Sequence, residues 1–231
     1  QESRVRYVAE RLGYAPWLHE FRTYLGDPRL TLEEFWYRYG RKRETESPRL
    51  DAVNGETEAR AFYAESDYPL WRQVVHRRHS AWRRVLWTMK GRRGILVEVG
   101  SGIAPVSAWL DRHRPRWAYS LHDVQGPHST YGYWRLARSS SPWLAHHNWP
   151  TGGDVVTILD TFEHLTDPLS MAKWFVKNLS PSGYLHFNFV ETDARGLDLA
   201  SPAQRAETIA YLRSALTVVY EEDGYVVCRK R

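Results

Sequence analysis

Between Gly94 and Val190 the chain alternates short apolar runs with amphipathic stretches. Ile95-Leu96-Val97-Glu98-Val99 is apolar at consecutive positions apart from Glu98, and it ends in Gly100-Ser101-Gly102. Such a run predicts a strand buried on both faces that turns sharply into a helix, here Pro105 to His113. Trp117 to Val124 predicts a second strand, Tyr131 to Ala137 a helix, and Trp143 to His146 a short third strand. Asp154 to Asp160 predicts a fourth, introduced by Thr151-Gly152-Gly153. Asp167-Pro168 then opens a helix to Leu179, with Asp as N-cap and Pro in the first turn, before a fifth strand from Ser182 through Val190. Strands separated by helices predict a doubly wound α/β sheet. Glu191 to Leu199 reads as a polar loop, and Ser201-Pro202 as the start of a helix to about Leu212. Thr217 to Cys228 reads as an antiparallel hairpin with Gly224 at its turn, which brings the sheet to seven strands.

The first ninety residues carry a different pattern, helical and polar. Ser3 to Leu12 predicts a short helix stopped by Gly13. Thr31-Leu32-Glu33-Glu34 resembles a capping box ahead of Phe35, Trp36 and Tyr39, and Arg41 to Pro48 reads as a charged loop. Helical runs broken near Pro69 extend from Glu56 to about Met89. Too few aliphatic residues precede Glu56 for an independent core, so this region is expected to pack on the rest as a cap. The division is 1–90 for the helical extension and 91–231 for the α/β domain. An aromatic stripe at helical spacing is most simply packing. Its sharper use is a lid over a ligand, with Tyr63, Tyr68, Trp71 and Arg72 as the candidate substrate contacts.

Composition changes this picture little. Of 231 residues, 42% are hydrophobic and 26% charged, a globular balance. No apolar stretch reaches the roughly 18 residues that span a membrane, and no signal segment opens the chain. One cysteine, Cys228, excludes an intrachain disulfide and fits a reducing, cytoplasmic setting. His76 and His79 could face one metal but have no carboxylate motif beside them, so no metal is expected. The net charge of +5, with 11 Trp and 14 Tyr, is compatible with nucleic acid or with an acidic or aromatic small substrate. The basic residues are dispersed, which ranks the small molecule first.

The chemistry concentrates after the first strand. Gly100 and Gly102 let the backbone approach a ligand, and a helix start supplies free N–H groups. Asp123 follows Gly102 by 21 residues, the spacing at which an acid at the end of the neighbouring strand accepts ribose hydroxyls. Together these point to a nucleoside-containing cofactor.

The segments Glu98-Val99-Gly100-Ser101-Gly102, Asp154-Val155-Val156, Leu159-Asp160 with Glu163-His164-Leu165 and Asp167-Pro168, and Leu179 with Pro181 and Gly183 resemble class I S-adenosylmethionine-dependent methyltransferases. The nearest flavour is the ubiquinone-biosynthesis-like branch with its Glu-His motif after strand four. The resemblance covers about Gly94 to Val190. It implies a seven-stranded doubly wound methyltransferase sheet whose last strand lies between the fifth and sixth, which separates it from nicotinamide dehydrogenases. It implies S-adenosyl-L-methionine as cofactor, with Gly100 and Gly102 beside the methionine moiety and Glu98 near its amino-acid end. Asp123 would hold the ribose, Val124 would lie against the adenine, and Asp160 with Thr161 would line the amino and sulfonium side. The acid that often follows strand three is replaced by His147-Asn148-Trp149, which makes Asn148 the adenine contact. Glu163 and His164 would form the active-site floor as the candidate catalytic pair, His164 as general base or as a structural histidine holding the loop, and Glu163 as a catalytic or a loop-anchoring carboxylate.

The leading expectation is methyl transfer to a small-molecule acceptor in specialised metabolism. A cyclase or lyase releasing methylthioadenosine is the alternative, and tRNA or rRNA methylation a further one. Asp160-Thr161-Phe162-Glu163 is not the Asn-Pro-Pro-aromatic loop used on base amines, and Cys228 lies in the last strand. Neither a membrane partner nor a fixed oligomeric state follows; a homodimer is one option.

Overall fold

The central strand β1 (Ile95–Val99) lies between two parallel neighbours, and that position explains its unbroken apolar sequence. β2 (Ala118–His122) pairs with one edge, setting Val97 opposite Ser120, and β4 (Gly153–Ile158) with the other, setting Val97 opposite Val156. The computed structural model describes residues 15–75, 80–91, 93–146, 152–189 and 197–231. β3 (Trp143–His146), β5 (Leu179–Asn188), β6 (Thr217–Glu222) and β7 (Tyr225–Arg229) complete one seven-stranded sheet in the order β3-β2-β1-β4-β5-β7-β6. β1 to β5 run parallel, and β7 is antiparallel between β5 and β6, as the hairpin predicts. Asp223 and Gly224, both with positive φ, make its turn.

Because side chains alternate across a strand, each face gets its own core. Leu96, Tyr119, Leu121 and Val155 pack on one face with Val85 and Met89. Val97, Val99, Val156 and Ile158 pack on the other with Phe162, Phe175 and Leu212. Each fully buried side chain of this kind contributes about 1.5–3 kcal/mol.

Nine α-helices accompany the sheet among the described residues, only partly as predicted. In the N-terminal region they are α1 (Pro16–Leu25), α2 (Leu32–Asp51), α3 (Glu56–Glu65), α4 (Tyr68–Val74) and α5 (Trp82–Thr88). Later come α6 (Ser107–Leu110), α7 (Pro127–Ala137), α8 (Pro168–Asn178) and α9 (Pro202–Ala215), with a 3-10 turn at Phe162–His164. The loop expected from Arg41 to Pro48 is instead helical, within α2. Ion pairs Arg38–Glu34, Arg41–Glu44 and Arg49–Glu46 at one-turn spacing support this exposed segment in place of an apolar face. The helix expected from Pro105 to His113 is only the four residues of α6. Ser3 to Leu12, His76, His79, Asn148 and most of the Glu191–Leu199 loop lie outside the described residues.

The N-terminal helices do not close a core of their own. Trp17, Phe21, Phe35, Leu70, Trp71 and Val74 form one aromatic cluster with Ile103 of the glycine turn and Tyr131 of α7. Phe21 and Phe35 each lie 5.1 Å from Trp71. Arg135, buried on α7, pairs with Glu20 of α1 at 2.5 Å and donates to Ile103 O at 2.6 Å. The helical extension is thereby fastened to the turn that follows β1.

Candidate functional site

A cleft of about 440 Å³ opens where β1, β2 and β4 end, with α3 as its roof. This is the edge at which open α/β sheets bind ligands, because the loops there diverge. Gly100 is its floor. Its φ of +62° is left-handed, and a Cβ would lie 2.5 Å from Thr161 Cγ2 and 2.8 Å from Thr161 Cβ. Gly102, at φ +45°, makes room for a different group: a Cβ there would sit 3.2 Å from Cδ of Gln73, which α4 brings in from the cap.

Asp123 lines the cleft at the end of β2, and its Oδ2 accepts the Gly102 N–H at 2.5 Å. The Nε2–H of buried His128 donates to its Oδ1 at 3.2 Å. The predicted acid thus both anchors the glycine turn and faces the cleft beside Val124. Glu98 is placed differently. It is buried behind the turn, and its two oxygens accept the Val106 and Ser107 N–H groups at 3.1 and 2.8 Å. A carboxylate there satisfies the open N–H groups at the start of α6. It does not line the cleft, so the acid inside the buried strand shapes the turn from behind.

After β4, Asp160 takes a positive φ of 49° and is clamped by Asn188 of β5. The Asp160 N–H donates to Asn188 Oδ1 at 2.7 Å, and Asn188 Nδ2 donates back to Asp160 Oδ1 at 2.5 Å. Asp160 and Thr161 both line the cleft. The 3-10 turn then presents Glu163 inward and His164 toward the cleft. His164 Nδ1–H donates to Leu197 O at 3.0 Å and lies 3.1 Å from Asp198 Oδ1. Those acceptors place the ring proton on Nδ1 and leave Nε2 as the basic nitrogen. Burial lowers the His164 pKa, but the Asp198 hydrogen bond and the charges of Glu163 and Asp198 outweigh it, so the pKa is raised. Glu163 is pushed up by burial, and its Oε2 has no partner among the described residues. Ala200 N–H donates to Glu163 O at 3.0 Å, docking the 197–200 segment on the turn.

Of the four predicted substrate contacts Tyr63, Tyr68, Trp71 and Arg72, Tyr63 lines the cleft; its ring lies 5.1 Å from His128, and burial raises its phenol pKa. Tyr68 and Trp71 are spent in packing: Tyr68 stacks on Tyr39, and Trp71 Nε1 donates to Asp67 at 3.1 Å. Arg72 is exposed outside the cleft. At the mouth, Glu56 accepts from Arg60 at 2.8 Å and from Thr166 at 2.9 Å, which ties α3 to the loop before α8. Four carboxylates (Glu56, Asp123, Asp160, Asp167) thus face the cleft against one arginine, Arg60. Three contributors escape sequence reading: Gln73, His128 and Asp198. His128 lies five residues beyond Asp123 and Gln73 directly follows Arg72, whereas Asp198 is far from any predicted site residue in the chain. Among the described residues there is no three-residue cluster suited to a metal, and no helix is long and apolar enough to cross a membrane.

No family model matches the chain, and no curated protein does. Solved structures match its fold. The magnesium protoporphyrin IX methyltransferase (ChlM) of Synechocystis PCC 6803 with bound SAM has a TM-score of 0.59 at 13% identity, over 78% of this chain and 99% of that one. An O-methyltransferase family protein from Burkholderia thailandensis has 0.58 at 10% identity, over 86% and 70%. The cyclase SpnF has 0.51 at 15% identity, over 80% and 73%. The architecture is therefore that of the methyltransferase-like α/β fold.

Proposed function

We propose that this chain is an S-adenosyl-L-methionine-dependent methyltransferase acting on a small-molecule acceptor. The observation that carries this reading is Asp123, which faces the cleft while holding the glycine turn. The donor set fits the cofactor. Asp123 offers a carboxylate to a ribose diol, and Val99 and Val124 offer apolar contact to a base. The excess of carboxylates suits a sulfonium and an ammonium. When bound, the cofactor supplies an electrophilic methyl group on sulfur.

The protein's own contribution is positioning and proton removal. His164 Nε2 takes the proton of the acceptor, while Leu197 O and Asp198 fix the ring and stabilise the imidazolium that forms. Ala59, Leu165 and Met171 give the acceptor an apolar wall, and Tyr63 closes it from above. Residues 1–90 serve as the acceptor-side cap and 91–231 as the cofactor domain, and nothing in this division requires nucleic acid.

Likeness to a cyclase as well as to methyltransferases means that the fold does not select the reaction, so product analysis does. Incubation with S-adenosylmethionine and a panel of small hydroxyl, amine and carbon acceptors is expected to yield S-adenosylhomocysteine. Methylthioadenosine as the product would support the lyase or cyclase reading, and salt-dependent binding of tRNA the nucleic-acid one.

A further inference from the structure

Gln73 reaches the glycine turn from the cap, not from the sheet. Its Oε1 accepts the Ile103 N–H at 3.3 Å, and its amide lies where a Gly102 side chain would be. A backbone N–H can only donate, so the amide oxygen faces Ile103 and the NH₂ group faces elsewhere. Gln73 lines the cleft, and Nε2 donates to no described residue. Two N–H donors therefore stand unused beside the turn.

The other candidates for an anion are committed. Arg60 is paired with Glu56 at the mouth, and Arg72 is outside the cleft. Asp160, also on the cleft wall, provides the negative charge that an ammonium needs.

We propose that Gln73 Nε2 is the donor to the carboxylate of the cofactor's amino-acid arm, so that a cap residue completes the cofactor site. The assignment rests on the cofactor reading above. One amide then serves both the glycine turn, through Oε1, and the cofactor, through Nε2. It also accounts for Gly102, which leaves space for that amide.

Calorimetry with S-adenosylmethionine and with its decarboxylated analogue, which keeps the ammonium, tests this directly. Gln73→Glu preserves the shape and the acceptor for Ile103 but replaces both donors with a charge. It is expected to weaken S-adenosylmethionine by about 10- to 100-fold, the scale of a hydrogen bond to a charged group. The decarboxylated analogue should bind the variant and the wild type alike. Gln73→Leu, which removes the donors without adding charge, should show the same selectivity with a smaller loss, and thermal melts report that both variants fold. Equal losses for the two ligands, or no loss for either, overturn the assignment. If wild type binds neither ligand, the cofactor reading fails first and takes this one with it.

Discussion

Gly100→Ala should be among the most damaging single-methyl changes in this protein. Its added Cβ would sit 2.5 Å from Thr161 Cγ2 and 2.8 Å from Thr161 Cβ, with the hydroxyl closer still. Thr161 has little freedom to yield, being buried with its hydroxyl bound to Leu159 O at 2.8 Å. The left-handed backbone, φ +62°, adds about 1–2 kcal/mol for any L side chain. Overpacking of a fixed neighbour adds about 1–3 kcal/mol, for a total of about 2–5 kcal/mol. Urea unfolding of the wild type, Gly100→Ala, Thr161→Ala and the double variant separates the two contributions. Thr161→Ala removes the hydroxyl and Cγ2, so in that background the glycine change should cost about 1–2 kcal/mol less. A loss below about 1 kcal/mol for Gly100→Ala, or additivity of the two changes, would refute the close approach on which the cleft floor depends.

Three further outcomes follow from His186 and His164. His186 bridges β5 to the cap and to β7: its Nε2–H donates to Thr88 at 2.7 Å, and the Tyr225 hydroxyl donates to Nδ1 at 2.6 Å. Burial pushes its pKa down to about 3, so the unfolded chain, whose histidine titrates near 6.5, binds the extra proton first. Stability should be full above pH 6.5 and fall below it by up to about 1.4 kcal/mol per pH unit, a slope that His186→Leu removes in urea titrations and that persists only if the network is wrongly assigned. For His164, replacement by Ala should lower kcat by about 100-fold or more without weakening the cofactor. Asp198→Asn should move the acid limb of the kcat profile to lower pH, since Asp198 raises the His164 pKa. An unmoved limb would leave His164 a structural residue.

The strands were legible because apolar runs bounded by glycine and Asp-Pro leave few alternatives, and Asp123 because its spacing from Gly102 is set by one βαβ unit. The exposed end of α2 was not, since its support comes from ion pairs and carries no apolar period. Tyr68 and Trp71 show a second limit: an aromatic stripe looks the same whether it covers a ligand or fills a core, and here it fills the core. Gln73 and Asp198 enter the site through contacts 30 or more residues away in the chain, which no local pattern encodes. Glu98 stands out in the sequence as the one acid in an apolar run, but its use as a support for α6 is set by the geometry of Val106 and Ser107.

Asp123 is the proposed ribose anchor, and titration of S-adenosylhomocysteine into wild type, Asp123→Asn and Asp123→Ala tests that claim. Wild type should bind with one-to-one stoichiometry. Both variants should lose about 10-fold or more in affinity, because two hydroxyls lose a charged acceptor. Unchanged affinity in the variants, or no binding by the folded wild type, would contradict the claim.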